Sequence, residues 1–204
     1  MLILVHTAHP QAVQHAGPGF GRLLSPRQFS RVADTAAAGI SWAADNDCFQ
    51  RLDVVAYRKM LEAVRDVPNC LFVVAPDVVG DWQTTRSRWD EWVVWLRIIG
   101  QPPAYVAQDG QPCDSVPWDE IGALFIGGTT AFKLSPEAER LGREAKRRGL
   151  WLHMGRVNSR KRFDYARATG CDSIDGSKFS RWRNTWLPEV LEWHTDHLQE
   201  RLEA

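Results

Sequence analysis

Three aspartates stand at the ends of apolar runs in this chain. Asp45 follows residues 40–44, Asp77 follows 70–75, and Asp175 closes 173–175. Gln108 with Asp109 ends a fourth run (104–107), Gly127-Gly128 a fifth (123–126), and Met154-Gly155-Arg156 a sixth that begins at Leu150. If these runs are parallel strands, their C-terminal ends face one site. Two carboxylates at such a site can work on a sugar C1′ through an oxocarbenium-like transition state, one as nucleophile and one as acid/base. Carboxylates and amides also read the donor and acceptor edge of a nucleobase, while side chains such as Phe49 and Met154 cover its faces. Each residue has a plainer reading as well: aspartate favours helix N-caps, so Asp175, before Gly176, could simply cap the next helix.

The elements that must position these residues alternate along the chain. Apolar runs predict strands at 1–6, 40–44, 70–75, 104–107, 123–126, 150–154 and 173–175. Residues 8–24, with two prolines and three glycines, read as loop. Ser25-Pro26 and Ser135-Pro136 each place a Ser at N-cap and a Pro at N1, which predicts helices over 25–38 and 135–148. Asp53 and Asp81 open two more, over 53–66 and 81–99, and a further helix spans 159–169 before Gly170. Trp118 to Ile121 reads as one helical turn, and a terminal helix is expected from Phe179 to about Leu202. Trp82, Trp89, Trp92 and Trp95 follow helical spacing, as do Trp182, Trp186 and Trp193, which predicts helix faces packed on a core. Strands apolar on both faces, alternating with helices, make a parallel sheet. The expected fold is a compact α/β barrel of the (β/α)8 kind, one domain over 1–204, with an open doubly wound parallel sheet as the alternative.

Composition narrows the function. At 204 residues the chain is 44% hydrophobic and carries no net charge, so no global field draws it to nucleic acid or anionic lipid. A nucleic-acid contact would need a local patch, and Arg156, Arg160, Lys161, Arg162, Lys178, Arg181 and Arg183 supply one; the plainer reading is a solvated face. Cys48, Cys70, Cys113 and Cys171 show no C-x-x-C spacing, which argues against zinc and against a disulfide framework, and fits a cytoplasmic protein. No run approaches the length of a membrane span, and the first residues lack the pattern of a signal peptide.

Six short pieces, A-D-N-D-C-F-Q (44–50), A-P-D-V (75–78), V-A-Q-D-G (106–110), F-I-G-G-T-T (125–130), H-M-G-R-V (153–157) and G-C-D-S-I-D-G (170–176), come in the order and at the spacing of a known family. The set resembles the tRNA-guanine transglycosylases, and more closely their phage and bacterial relatives that insert 7-deazaguanine bases into DNA. The resemblance implies that Asp175 is the nucleophile and Asp45, at the acid of the family's D-S-G-G-F/Y-Q motif, the general acid/base. It implies further that Phe49 and Met154 cover the two faces of the base, Asp77 and Gln108 read its edge, and the Gly127-Gly128 backbone contacts it. The Asp172 to Asp175 spacing is preserved.

The chain also departs from the family. Asp47 and Cys48 replace a glycine pair, Lys133 stands near where the tRNA enzymes carry an acid, and the cysteine-rich zinc subdomain is missing. The implied reaction is therefore base exchange in DNA, with a free 7-deazapurine as co-substrate, no cofactor and no metal; tRNA ranks below DNA. A hydrolytic DNA glycosylase with the same acids, excising a modified base to leave an abasic site, is the alternative, and a non-catalytic nucleobase-binding barrel the reading from another class.

Overall fold

The computed structural model describes residues 1–7, 13, 17, 19–49, 51–181, 188–190 and 192–193. Eight parallel strands close into a barrel in chain order. They are β1 (Leu2–His6), β2 (Phe20–Leu24), β3 (Trp42–Ala44), β4 (Cys70–Val74), β5 (Pro103–Ala107), β6 (Ala123–Ile126), β7 (Trp151–Met154) and β8 (Ser173–Asp175). Closure pairs β1 with β8 through Leu2↔Ser173, Ile3↔Ile174 and Leu4↔Asp175. The helices between them are α1 (Val32–Ala37), α2 (Val54–Val64), α3 (Trp82–Ile99), α4 (Thr130–Lys133), α5 (Pro136–Arg147), α6 (Arg160–Ala168) and α7 (Ser177–Arg181).

Alternation along each strand builds two apolar layers. Leu4, Leu23, Ala43, Phe72, Val74, Ala104, Val106 and Ala123 fill the barrel interior. Ile3, Trp42, Val73, Tyr105, Leu124, Leu152 and Ile174 face outward into the layer under the helices. The tryptophan stripe of α3 behaves in part as its spacing predicts: Trp89 and Trp92 are buried and Trp95 packs against the same layer, whereas Trp82, at the start of the helix, is half-buried and outside that core. In the second stripe Trp182 and Trp186 lie outside the described residues, while Trp193 is buried with its ring centroid 5.4 Å from that of Phe163. Most helix starts follow the expected openings: Asp53, Asp81 and Ser135 each accept a hydrogen bond from a first-turn amide, and Ser159, where the sequence places a helix over 159–169, does the same. The expected turn at Trp118 is a 3-10 turn, and Lys133 ends a short helix that the sequence reading lacks.

Two corrections share one cause. Residues 20–24 form a strand, and the helix expected from Ser25 begins only at Val32. Arg22, in the middle of β2, is fully buried. Its guanidinium donates to the carbonyls of Thr7 (2.8 Å), Ser30 (2.7 Å) and Arg31 (3.2 Å), and to Thr35 Oγ1 (2.8 Å). The Gln28 and Ser30 carbonyls, which an earlier helical turn would use, bind Arg22 instead, while the Arg31 carbonyl accepts both from Arg22 and from the Thr35 amide that opens α1. Burial, and then the neighbouring Arg31, push its pKa down to about 10, which leaves it charged at neutral pH. Arg22→Met should therefore cost about 3 kcal/mol or more, because the fully buried guanidinium that ties Thr7, Ser30, Arg31 and Thr35 together is lost. Urea denaturation measures this, and an unchanged midpoint would refute the role.

Candidate functional site

The C-terminal strand ends enclose a cavity of about 70 Å³, partly open to solvent. Asp45, Asn46, Phe49, Asp77, Gly127, Gly128, Lys133, Arg156 and Asp175 line it, with Val106 and Phe125 from the barrel interior. A wider groove of about 490 Å³ shares Asp45, Phe49, Arg156 and Asp175 and extends over His6, Arg27, Gln28, Asn158 and Ser177. The three aspartates expected at strand ends thus do converge.

Asp77 is 8% exposed and sits in a cradle of amides. Asn46 Nδ2 donates to its Oδ1 (2.8 Å) and Gln108 Nε2 to its Oδ2 (2.7 Å). Asn46 also donates to the Ala75 carbonyl (2.7 Å) and accepts from the Cys48 amide (2.7 Å), which ties the loop after β3 to the end of β4. Burial raises the Asp77 pKa, partly offset by Asn46, Arg88 and Gln108. Asn46→Ala should cost about 1–3 kcal/mol, since it strands two buried acceptors, and should turn Asp77 away from the cavity. Thermal unfolding tests the first effect and ligand titration the second; no change in either would refute the cradle.

Asp175, at the end of β8, is 7% exposed. Its Oδ1 accepts from the Arg156 amide at 2.6 Å, and His153 Nε2 stands 3.8 Å from the same oxygen. Burial pushes its pKa up, but His153, His6 and the Arg156 amide more than offset this, so it lies below the ordinary carboxylate range. Asp45, just past β3, has its pKa raised well above that range, first by burial and then by Asp175, Asp77 and Asp47. One cavity thus holds two carboxyls whose pKa values are pushed apart, Asp175 downward and Asp45 upward, the division of labour that acid/base chemistry uses.

Arg156 organises the mouth. It adopts a left-handed backbone (φ 58°), costly for a residue with a Cβ. Its guanidinium donates to the Gly128 carbonyl and lies 4.5 Å from the centroid of the Phe49 ring, and its own carbonyl accepts from Arg162 Nη1 (3.1 Å). Phe49 is 65% exposed, so an aromatic face is offered at the entrance. Gly128 is needed by its own neighbours: at φ 67° a Cβ would stand 2.4 Å from Asp109 Oδ2. Asp109 in turn accepts from the Thr129 amide (2.8 Å) and hydroxyl, which holds the start of α4. Lys133, 3% exposed, lines the cavity with its pKa pushed down to about 7, first by burial and then by Arg156.

Three expectations need correction. Met154 does not line this cavity: it lies on the outer face of β7, 2% exposed, beside a small separate space with Ile126, Ala138 and Tyr165. Period-two alternation sends Trp151 and His153 inward and Leu152 and Met154 outward, so Phe125 and Val106 supply the inner apolar wall instead. Gln108 is fully buried and does not line the cavity; it accepts from the Gly80 amide (2.9 Å) and holds Asp77. The basic rim is also smaller than expected. Arg160 pairs with Asp164 (3.0 Å), Lys178 with Glu189 (3.2 Å), and Arg162 turns inward, which leaves Lys161 exposed and Arg156 at the cavity. Arg183 and the side chain of Arg181 lie outside the described residues. Arg27, on the groove opposite, was not anticipated. Asn46 and His153 were also missed, although strand alternation in W-L-H-M-G points His153 inward.

No protein-family model matches the sequence, and a search of curated proteins gives no match. Solved structures share the fold. A chain of the tryptophan synthase α2β2 complex of Pyrococcus furiosus superposes with a TM-score of 0.56 at 16% identity, over 87% of this chain and 87% of that one. A putative fructose-1,6-bisphosphate aldolase of Coccidioides immitis gives 0.57 at 15% identity, over 86% of this chain and 72% of that one. Identities this low speak for the (β/α)8 barrel and nothing finer. Among the described residues no helix is long and apolar enough to cross a membrane.

Proposed function

We propose that this barrel is an enzyme acting on nucleobases in DNA, which cleaves an N-glycosidic bond and exchanges the base for a 7-deazaguanine. The observation that carries the reading is the pair Asp175 and Asp45 lining one cavity, with Asp175 Oδ1 held by the Arg156 amide and its pKa lowered, and the Asp45 pKa raised. The Asp175 carboxylate attacks C1′ as the bond to the base breaks, and Asp45 gives its proton to the departing base. Asp45, now a carboxylate, takes the N–H proton of the incoming base. That nitrogen then attacks C1′ and returns Asp175 as a carboxylate. Asp77 reads the polar edge of the base, the Gly127-Gly128 backbone contacts it, and Phe49, Phe125 and Val106 cover its faces. The sugar-phosphate chain runs along the adjoining groove past Arg27, Arg156 and Asn158. DNA and a free 7-deazapurine are the partners, with tRNA below DNA, in the cytoplasm of the cell or of a phage host.

A second reading has one observation in its favour. The groove beside Asp175 is wide and open, so water can reach a glycosyl-aspartyl ester and hydrolyse it, as in a DNA glycosylase. One experiment separates the two. Duplex DNA carrying labelled guanine is incubated with the protein, with and without free 7-deazaguanine, then treated with alkali. Label released only when the incoming base is present supports exchange. Release without it, with strand breaks after alkali, supports the glycosylase. No release in either arm overturns exchange, and the glycosylase falls as well if duplexes carrying modified bases show neither release nor breaks after alkali.

A further inference from the structure

Behind Asp175 the barrel interior holds a polar chain that the proposed reaction does not use. His153 and Ser173, neighbours across the β7–β8 ladder, are both fully buried. The imidazole is wedged between Phe72 and Phe125, with ring centroids 5.1 and 4.5 Å away. His153 Nδ1 lies 2.7 Å from Ser173 Oγ, and the Trp151 indole N–H donates to the same oxygen at 2.8 Å. His153 Nε2 has no hydrogen-bond partner among the described residues and stands 3.8 Å from Asp175 Oδ1.

We propose that Trp151 and Ser173 lock His153 as the Nε2–H tautomer and thereby make it a positioning residue for Asp175. An indole N–H can only donate, so Ser173 Oγ accepts from Trp151. The one remaining acceptor within reach of the serine hydroxyl, among the described residues, is His153 Nδ1. With Nδ1 accepting, the proton of the neutral ring sits on Nε2, directed at Asp175 Oδ1. The other tautomer would set a lone pair against the carboxylate and leave the Ser173 proton without an acceptor. Burial keeps the ring neutral by lowering its pKa. Oδ1 then receives the Arg156 amide and the field of the Nε2–H, which leaves Oδ2 directed at the substrate. The arrangement repeats the logic of a group that orients a catalytic partner without touching the reacting atoms. Its value for catalysis rests on the proposed nucleophilic role of Asp175; the tautomer lock does not.

The test is NMR on protein labelled with 15N-histidine and 13C-aspartate, which needs no substrate. Long-range 1H–15N spectra should show His153 as the Nε2–H tautomer in the native chain, and Ser173→Ala should mix the two tautomers. The Asp175 carboxyl should titrate at higher pH in His153→Leu, whereas His153→Gln, whose amide can place an N–H at the same point, should restore it. The other groups facing Asp175, namely His6, Lys133, Arg156, Asp45 and Asp77, are unchanged in these variants. In base release, Ser173→Ala and His153→Leu should lower kcat about tenfold with KM unchanged, and His153→Gln should recover most of it. A native Nδ1–H tautomer, or an Asp175 titration indifferent to His153→Leu, overturns the relay. If the lock is present but Asp175→Asn still turns over, the relay stands and the nucleophile reading falls.

Discussion

Asp175→Asn should abolish base release and any covalent adduct with the sugar, a loss of at least about 10³-fold in kcat, while the barrel stays folded. An amide is a poor nucleophile at C1′, so in the first half-reaction no group bonds to the sugar as the base departs. The fold should tolerate the change because the carboxamide oxygen can still accept from the Arg156 amide, 2.6 Å from Oδ1 in the native chain. The expected stability change is within about 1 kcal/mol. The variant also removes one of the charges that raise the Asp45 pKa, so Asp45 should titrate at lower pH than in the native protein. Trapping on denaturing gels and calorimetry measure the two sides. Turnover at the native rate would dismiss the mechanism, and collapse of the fold would make Asp175 a structural cap.

Asp45→Asn should do two opposite things. Without the proton donor, base release should fall about 10²–10⁴-fold. Stability at neutral pH should rise, because Asp45 is confined with Asp175, Asp77 and Asp47 and ionises reluctantly in the fold. The sign follows from linkage. An unfolded aspartate titrates near 3.9, and Asp45 in the barrel well above its ordinary value. Below the unfolded pKa both states are protonated and the native protein carries no penalty from Asp45. As pH rises through the folded pKa the penalty grows and then levels off. The gain from asparagine should be near zero in acid and largest above the folded pKa, at about 2–4 °C in Tm per kcal/mol relieved. For the native enzyme, activity should fall as pH rises through the Asp45 pKa, and again in acid as Asp175 is protonated. A Tm gain that is the same at every pH would show that Asp45 is not the strained group.

How much of this was legible beforehand differs element by element. The apolar runs ending in Asp45, Asp77 and Asp175 marked the strand ends, because burial on both faces of a parallel strand leaves little choice of residue there. The residues Asp53, Asp81 and Ser135 marked helix starts, because a cap is a local contact between neighbours in sequence. The convergence of the strand-end residues followed from fold class alone.

What tertiary structure decided involves partners far apart in the chain. Residues 20–24 are a strand, despite their glycine and arginine, because the closing barrel needs an eighth strand and Arg22 finds its acceptors in the following segment. The exclusion of Met154 from the cavity depends on which face of β7 turns inward, a choice that its register with β6 and β8 makes. Gln108 became a support of Asp77 rather than a reader of ligand because the end of β4 lies against that of β5, and burial left both carboxylate oxygens in need of donors. The opposite pKa shifts of Asp45 and Asp175 have the same origin. Burial pushes both upward, but Asp45 also faces Asp175, Asp77 and Asp47, whereas Asp175 faces His153, His6 and the Arg156 amide, and only chain closure brings those neighbours within range.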